Sequence, residues 1–166
     1  IADNFSTLKR EKIDAFKHYF RGNALMEEGK PLEALEEYTL SIRDRPEFSS
    51  AFYERGLAYK KLQRWNEALH DFTTAVHTKA DYGVAFCSRA SVYIELENYD
   101  QAIFDCTKAL DINPDDASAY HVRANAFAKK GDSERAFDDF ERWGQLETKR
   151  LCIVCMEASR GSRLHP

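Results

Sequence analysis

Two cysteines near the end of the chain have the spacing of a metal-binding or redox pair. Cys152 and Cys155 are separated by two residues, and His165 follows ten residues later. Thiolate sulfur and imidazole nitrogen are preferred zinc ligands, but a structural zinc site needs four of them. A lone C-x-x-C is a weak signal. We therefore expect no cofactor in this chain and no complete metal site within it.

The residues around this pair resemble the opening of a C3HC4 RING finger. Cys155 is followed by Met, by an arginine at Arg160, and by a spacer that ends in Leu164-His165-Pro166, just before the point where the third ligand would begin. The resemblance implies a RING truncated at this point, so zinc and ubiquitin-ligase activity would belong to a longer parent protein. In the alternative, the stretch from Leu151 to Met156 continues the last helix and caps the domain, with both cysteines on its apolar face.

No other group of residues has the spacing of a catalytic site. The sequence contains no Gly-rich phosphate loop, no nucleophile elbow and no H-E-x-x-H motif. His70 and His77 are two helical turns apart, about 10.5 Å, and we interpret them as surface residues. We expect a binding protein and not an enzyme, with a ligase role left open only for a RING-containing parent.

A 34-residue period organises most of the chain into elements that must position these residues. Small residues recur in two series and larger ones in two more. The series are Gly22, Gly56, Ala90 and Ala124; Ala34, Ala68, Ala102 and Ala136; Leu25, Tyr59, Tyr93 and Phe127; and Tyr38, Phe72, Cys106 and Phe140. This period and these residue types resemble the tetratricopeptide repeat (TPR) family. The resemblance implies an all-α, right-handed superhelical solenoid of antiparallel helix pairs that binds other proteins.

The repeat spacing also sets the domain boundaries. We expect four repeats at about 15–48, 49–82, 83–116 and 117–148. The amphipathic segment 1–14 is expected to extend the first helix or to form a separate cap. Residues 149–166 form the tail discussed above, either a capping helix or the start of a RING.

Two series of charged residues share the same period. The arginines are Arg21, Arg55, Arg89 and Arg123, and the carboxylates sixteen residues later are Glu37, Asp71, Asp105 and Asp139. Because the two helices of a repeat run antiparallel around a short turn, the two positions should face each other. We expect partly buried, bidentate pairs that join the helices. The alternative is a row of arginines that holds an acidic partner.

The resemblance implies that the partner binds the concave face, which the first helix of each repeat lines. The candidate groove residues are Tyr19, Phe20, Asn23, Tyr53, Glu54, Leu57, Lys61, Cys87, Ser88, Ser91, His121, Val122 and Asn125. Aromatic side chains are enriched in binding hot spots, which favours Tyr19 and Tyr53 as anchors. The alternative is that both tyrosines pack between neighbouring repeats.

One activity of the family depends on a recognisable residue set. Its co-chaperones hold the C-terminal carboxylate of chaperones with Lys, Asn, Asn, Lys and Arg on the first helices. The matching positions hold Tyr19, Asn23, Glu54, Val84 and Ser88 in the register of repeat 1, and Tyr53, Leu57, Ser88, Ser118 and Val122 in that of repeat 2. Only Asn23 fits, and Glu54 would repel a carboxylate. We expect a protein or peptide partner other than a chaperone C-terminal peptide.

Composition narrows the partners further. The formal net charge is −4, which gives no basic field for nucleic acid or an anionic membrane. Cys87 and Cys106 fall at helix positions and are interpreted as reduced thiols of a cytoplasmic, or alternatively nuclear, protein. The chain opens with Ile, which indicates a partial or processed chain. Homo-oligomerisation through apolar residues at an uncapped end is left open.

Overall fold

The computed structural model describes the backbone of residues 2–161 and the side-chain surroundings of residues 13–152. The described range folds into helices joined by short turns and contains no strand. The helices are α1 (Ala2–Glu27), α2 (Pro31–Asp44), α3 (Ser49–Lys61), α4 (Trp65–Thr78), α5 (Gly83–Glu95), α6 (Tyr99–Ile112), α7 (Ala117–Lys130) and α8 (Ser133–Gly161). The expected all-α class is confirmed. No helix within 2–161 combines the length and apolar character that a bilayer crossing requires.

The helices form four antiparallel pairs that stack in chain order. Each odd-numbered helix packs on the even-numbered helix that follows it, and each pair packs on the next. The odd-numbered helices also contact one another in sequence, whereas the even-numbered helices of the described range do not. Helices α1, α3, α5 and α7 are therefore closer together and line the concave face. The structure is the solenoid of helix pairs expected from the period.

The turn inside each pair repeats the same backbone geometry. A residue with positive φ occurs every 34 residues, at Gly29 (76°), Gln63 (57°), Glu97 (58°) and Gly131 (90°). In each turn the next amide N–H donates to the carbonyl five residues earlier, as Lys30 does to Leu25 at 2.8 Å. This is the Schellman geometry that ends a helix through a left-handed residue. Two repeats use glycine for this conformation, and two accept a side chain there.

Close helix approach explains the series of small residues. A Cβ at Gly56 would lie 2.8 Å from Cε1 of Phe72, and one at Gly22 would lie 2.5 Å from Cε1 of Tyr38. In the third repeat the equivalent residue is Ala90, which packs in a buried cluster with the much smaller Cys106. Small and large residues thus compensate across these three helix pairs, as close packing requires.

The two ends of the chain are long continuous helices. Helix α1 begins at Ala2, so the segment before the first repeat extends its first helix and is not a separate cap. Helix α8 runs to Gly161 and includes the segment that was expected either to cap the solenoid or to begin a RING. Leu151 is 63% exposed and Cys152 is exposed, so neither packs on the core. The side chains of Cys155 and His165 lie outside the described ones.

Candidate protein-binding groove

The arginine and carboxylate series pair inside the fold in repeats 2 to 4. Each guanidinium donates two hydrogen bonds, from Nε at 2.7 Å and from Nη2 at 2.8 Å, to one buried carboxylate. The pairs are Arg55–Asp71, Arg89–Asp105 and Arg123–Asp139. The expected bidentate pairs are confirmed in these repeats. The arginines are therefore not a free row that holds an acidic partner.

Repeat 1 departs from this pattern, and the expected Arg21–Glu37 pair is wrong. Arg21 is exposed, and the Glu37 carboxylate instead lies 2.6 Å from Nδ1 of His18. His18 occupies the position that Phe52 and Phe86 hold in the next two repeats. The His18 imidazole, one helical turn before Arg21, contacts the Glu37 carboxylate in place of the arginine.

A further contact of the arginines was missed at the level of sequence. Nη1 of each paired arginine donates to a threonine hydroxyl sixteen residues earlier, on the second helix of the preceding repeat. The contacts are Arg55–Thr39 at 3.1 Å, Arg89–Thr73 at 3.3 Å and Arg123–Thr107 at 3.3 Å. The three threonines also recur every 34 residues, which is the signal that could have found them. Each guanidinium therefore joins two repeats as well as two helices.

Tyr53 lies at the junction of repeats 2 and 3. Its ring centroid is 5.8 Å from that of Phe72 and 5.2 Å from that of Tyr82, and the Ser88 hydroxyl lies 3.4 Å from its own. Burial raises the pKa of Tyr53 and raises that of Tyr82 to about 12. Tyr53 thus packs between repeats, as the alternative interpretation had it, and keeps only part of its ring accessible.

The first repeat forms an aromatic end of the groove. The Tyr19 ring lies 5.0 Å from that of Phe48 and 5.4 Å from that of Phe20. The Tyr38 hydroxyl donates to Oδ1 of Asn23 at 2.9 Å. Tyr19 and Asn23 are half-buried, whereas Phe20 is 64% exposed. Phe20 therefore presents the larger unused apolar surface.

The middle of the groove carries two half-buried charged side chains on α3. Glu54 has no hydrogen bond or ion pair with any described side chain, and burial raises its pKa. Nζ of Lys60 donates to Oγ of Ser91 at 2.6 Å, and burial lowers the pKa of Lys60. Lys61, expected in the groove, is exposed and does not reach Ser91. Lys60 was missed at the level of sequence because the helical positions of Lys60 and Lys61 are both compatible with the inner face of α3.

Repeat 4 forms the other end of the groove. The His121 ring lies 4.8 Å from that of Trp143 and 6.0 Å from that of Phe140, and its Nε2 is 3.4 Å from Nδ2 of Asn125. Val122 on α7 is half-buried against the core of its end of the groove. This end is therefore an aromatic cluster in which the polar side chains of His121 and Asn125 are half-buried. Leu57, the remaining groove candidate on α3, is likewise half-buried against the core.

Cys87 is not a groove residue, contrary to the expectation. It is only 8% exposed and packs with Ala109, Leu110 and Ala119. Burial and the nearby Asp116 raise the pKa of its thiol to about 12. Cys87 is therefore an unreactive part of the core.

Three family models, each described as tetratricopeptide repeat, match residues 19–83, 83–116 and 106–138. Together they cover the chain from residue 19 to residue 138. The chain belongs to the tetratricopeptide repeat family. A comparison with curated protein sequences finds no match.

Solved structures share the fold of this TPR domain at low sequence identity. A crystal structure of MamA is 23% identical with a TM-score of 0.78, covering 88% of this chain and 85% of that one. MamA from Desulfovibrio magneticus RS-1 is 18% identical with a TM-score of 0.75, covering 81% and 76%. The first TPR of Spaghetti (RPAP3), bound to the HSP90 peptide SRMEEVD, is 22% identical with a TM-score of 0.71, covering 72% and 95%.

The described side chains of the TPR domain do not form a metal site. Within residues 13–152, no three His, Cys, Asp or Glu side chains are grouped so that they could hold a metal ion. Cys152 stands exposed on a helix without a second described ligand. The described residues therefore do not fit a closed zinc site.

Proposed function

We propose that this TPR domain is a scaffold that binds a peptide or protein segment along the groove formed by α1, α3, α5 and α7. One observation carries the proposal. The paired arginines are satisfied within the fold, while on the inner face Glu54 has no described partner and Phe20 is 64% exposed. Side chains with unused bonding capacity and exposed aromatic surface are what a bound segment would cover.

A matched pair of exposed phenylalanines can test which face binds. Phe20 lies on α1 of the groove, and Phe104, 53% exposed, lies on α6 of the outer row. A random 12-residue peptide library would be selected on the immobilised domain, and the enriched peptides tested by fluorescence polarisation. Phe20→Ala should weaken binding several-fold, and Phe104→Ala should leave it unchanged, with both variants keeping wild-type helicity. Loss of binding only in Phe104→Ala would move the interface to the outer face.

The partner is not proposed to be a chaperone tail. Glu54 would repel a terminal carboxylate, and Lys60, the half-buried cation nearby, already donates to Ser91. The HSP90 peptide SRMEEVD, which the RPAP3 domain binds, is the direct probe. We expect a dissociation constant above about 100 μM for this domain. Low-micromolar binding that is lost on amidating the terminal carboxylate would contradict this expectation.

A second candidate is the substrate-binding part of a RING-type ubiquitin ligase. It is favoured by the C-x-x-C spacing at Cys152 and Cys155 and opposed by the helical backbone of α8 at both positions. Native mass spectrometry of the protein isolated from its source cells separates the two candidates. A mass well above 19.2 kDa with bound zinc would support the ligase, and a metal-free species near 19.2 kDa would reject it.

A further inference from the structure

Glu54 is a charged side chain in the groove that the fold itself does not explain. The buried aspartates of repeats 2 to 4 each receive two hydrogen bonds from arginine, and Lys60 donates to Ser91. Glu54 is half-buried on α3 without a described partner. Removing a carboxylate from water without a compensating donor costs free energy. A neutral side chain at this position would avoid that cost.

The residue beside Glu54 on α3 is aromatic and packs against further rings. Tyr53 is the preceding residue, and its ring lies 5.2 Å from that of Tyr82. Burial is the main cause of the raised pKa of Tyr38, and the charge of Glu54 adds to it. A carboxylate on a helix that also carries an aromatic ring at the adjacent position can offer a cation an ion pair, with a ring face within its reach.

The equivalent position in repeat 1 supplies an apolar contact beside this carboxylate. Phe20 lies 34 residues before Glu54, so the two occupy the same position on the neighbouring helices α1 and α3. Packed helices lie about 8–10 Å apart. An extended peptide advances about 3.3 Å per residue, so about three residues span this distance. A segment crossing the groove would therefore meet both side chains.

We propose that the groove selects a segment in which a lysine or arginine binds Glu54 and an apolar residue about three positions away covers Phe20. This inference rests on the proposed function and names the chemistry of its partner. The positive charge of this lysine or arginine is complementary to the unpaired carboxylate and to the chain's net charge of −4. The cationic side chain of the bound segment would supply the ion pair that Glu54 lacks in the unbound fold.

The first test repeats the peptide selection on three proteins: the wild type, Glu54→Gln and Glu54→Lys. Peptides from the wild type should be enriched in Lys or Arg with an apolar residue about three positions away. The enrichment should disappear with Glu54→Gln and change to Asp or Glu with Glu54→Lys. Wild-type peptides without excess basic residues, or the same basic peptides selected by Glu54→Gln, would overturn the inference.

The second test measures the coupling between Glu54 and the basic residue. By fluorescence polarisation, the most enriched peptide should bind Glu54→Gln about tenfold more weakly than the wild type, a loss of about 1.4 kcal/mol. Replacing the basic residue of the peptide by Gln should cause a similar loss in the wild type and little further loss in Glu54→Gln. Glu36→Gln, an exposed site on α2, is the matched control and should bind normally. Additive losses would contradict a direct contact.

Thermal unfolding separates a binding role from a structural one. Because the unbound carboxylate is partly desolvated without a partner, Glu54→Gln should keep or raise the Tm while it weakens binding. A lower Tm together with weaker binding would assign Glu54 to the fold and overturn the inference. The outcomes also distinguish the two proposals. Groove-dependent peptides without a basic preference contradict only this inference, whereas no selectable peptide, or binding insensitive to Phe20→Ala, contradicts the scaffold function itself.

Discussion

Repeat 1 and repeats 2 to 4 solve the same structural problem with different chemistry. In the later repeats an arginine lies over an aromatic ring of its own helix, pairs with a buried aspartate and reaches the preceding repeat; for Arg89 these contacts are with Phe86, Asp105 and Thr73. In repeat 1 the aromatic residue is His18, which takes Glu37 itself. His18 and Glu37 are 19% and 23% exposed, whereas Asp105 is fully buried.

The difference between the two kinds of pair follows from the number of hydrogen-bonding groups on the cationic side chain. A guanidinium has five donors in a planar fork, so it can serve its own repeat and the preceding one together. An imidazole has two nitrogens, and those of His18 face Glu37 and, at 3.9 Å, Asp44, both on α2. The buried pairs of repeats 2 to 4 therefore couple neighbouring repeats, while the pair in repeat 1 holds only its own helices together.

The largest expected loss of stability comes from removing the carboxylate of a buried Arg–Asp pair, and it can be compared with the loss of Glu37 in repeat 1. Asp105→Ala leaves a largely buried guanidinium without its carboxylate and should lower the free energy of unfolding by about 3–5 kcal/mol. Glu37→Ala in the more exposed pair of repeat 1 should cost about 1 kcal/mol or less. Urea unfolding followed by circular dichroism at 222 nm measures both, with Glu36→Ala as an exposed control. Equal costs for Asp105→Ala and Glu37→Ala would remove the distinction between the two kinds of repeat.

Helix approach can be compared between repeats 1 and 2. Gly22→Ala and Gly56→Ala each place a methyl group against a buried ring, Tyr38 or Phe72. Overpacking should cost about 1–3 kcal/mol, offset in part by the roughly 1 kcal/mol higher helix propensity of alanine. The loss should be larger at Gly22, where the contact is shorter. A net gain in urea-unfolding free energy for both variants would show that the rings can move aside.

Removing the guanidinium from repeat 3 should make its stability depend on pH. Burial already raises the pKa of Asp105, while hydrogen bonds from Arg89 oppose this, so Arg89→Met should raise that pKa further above its unfolded value of about 3.9. Between the two values the folded state retains a proton that the unfolded state has lost. Stability is therefore lost as the pH rises through the folded pKa. Relative to the wild type, we expect the unfolding free energy of Arg89→Met to fall from pH 4 to pH 8. A flat difference would contradict this.

The smallest effect concerns the turns. Gln63 adopts the left-handed conformation that glycine provides in repeat 1. Gln63→Gly should relieve backbone strain and stabilise the domain by about 0.5–1 kcal/mol, less the extra entropy of glycine in the unfolded chain. Gly29→Ala, the reverse change, should destabilise it by a similar amount. Thermal unfolding of the two variants provides the measurement, and shifts of the same sign would refute the interpretation.

The sequence predicted the features that follow from its period. Helix pairs, close approach at the small residues and three Arg–Asp pairs all depend on residues whose partners lie at a fixed distance along the chain. The failures are local. The repeat spacing implied Arg21 as the partner of Glu37, but only the packed helices showed that His18 lies nearer. Cys87 was expected in the groove because the sequence does not show which inner-face residues are buried. Their burial depends on how the neighbouring helices pack.

The sequence by itself determined the repeat, the fold class and the Arg–Asp pairs of repeats 2 to 4, because those depend on helical geometry and short separations. Only the tertiary structure decided which inner-face residues remain accessible. Cys87 is buried against the next repeat and Tyr53 is partly covered by it, through Ser88, whereas Phe20 is 64% exposed and Glu54 remains unpaired among the described side chains. Accessibility depends on how neighbouring repeats stack, and stacking is a property of the assembled solenoid that no single repeat encodes.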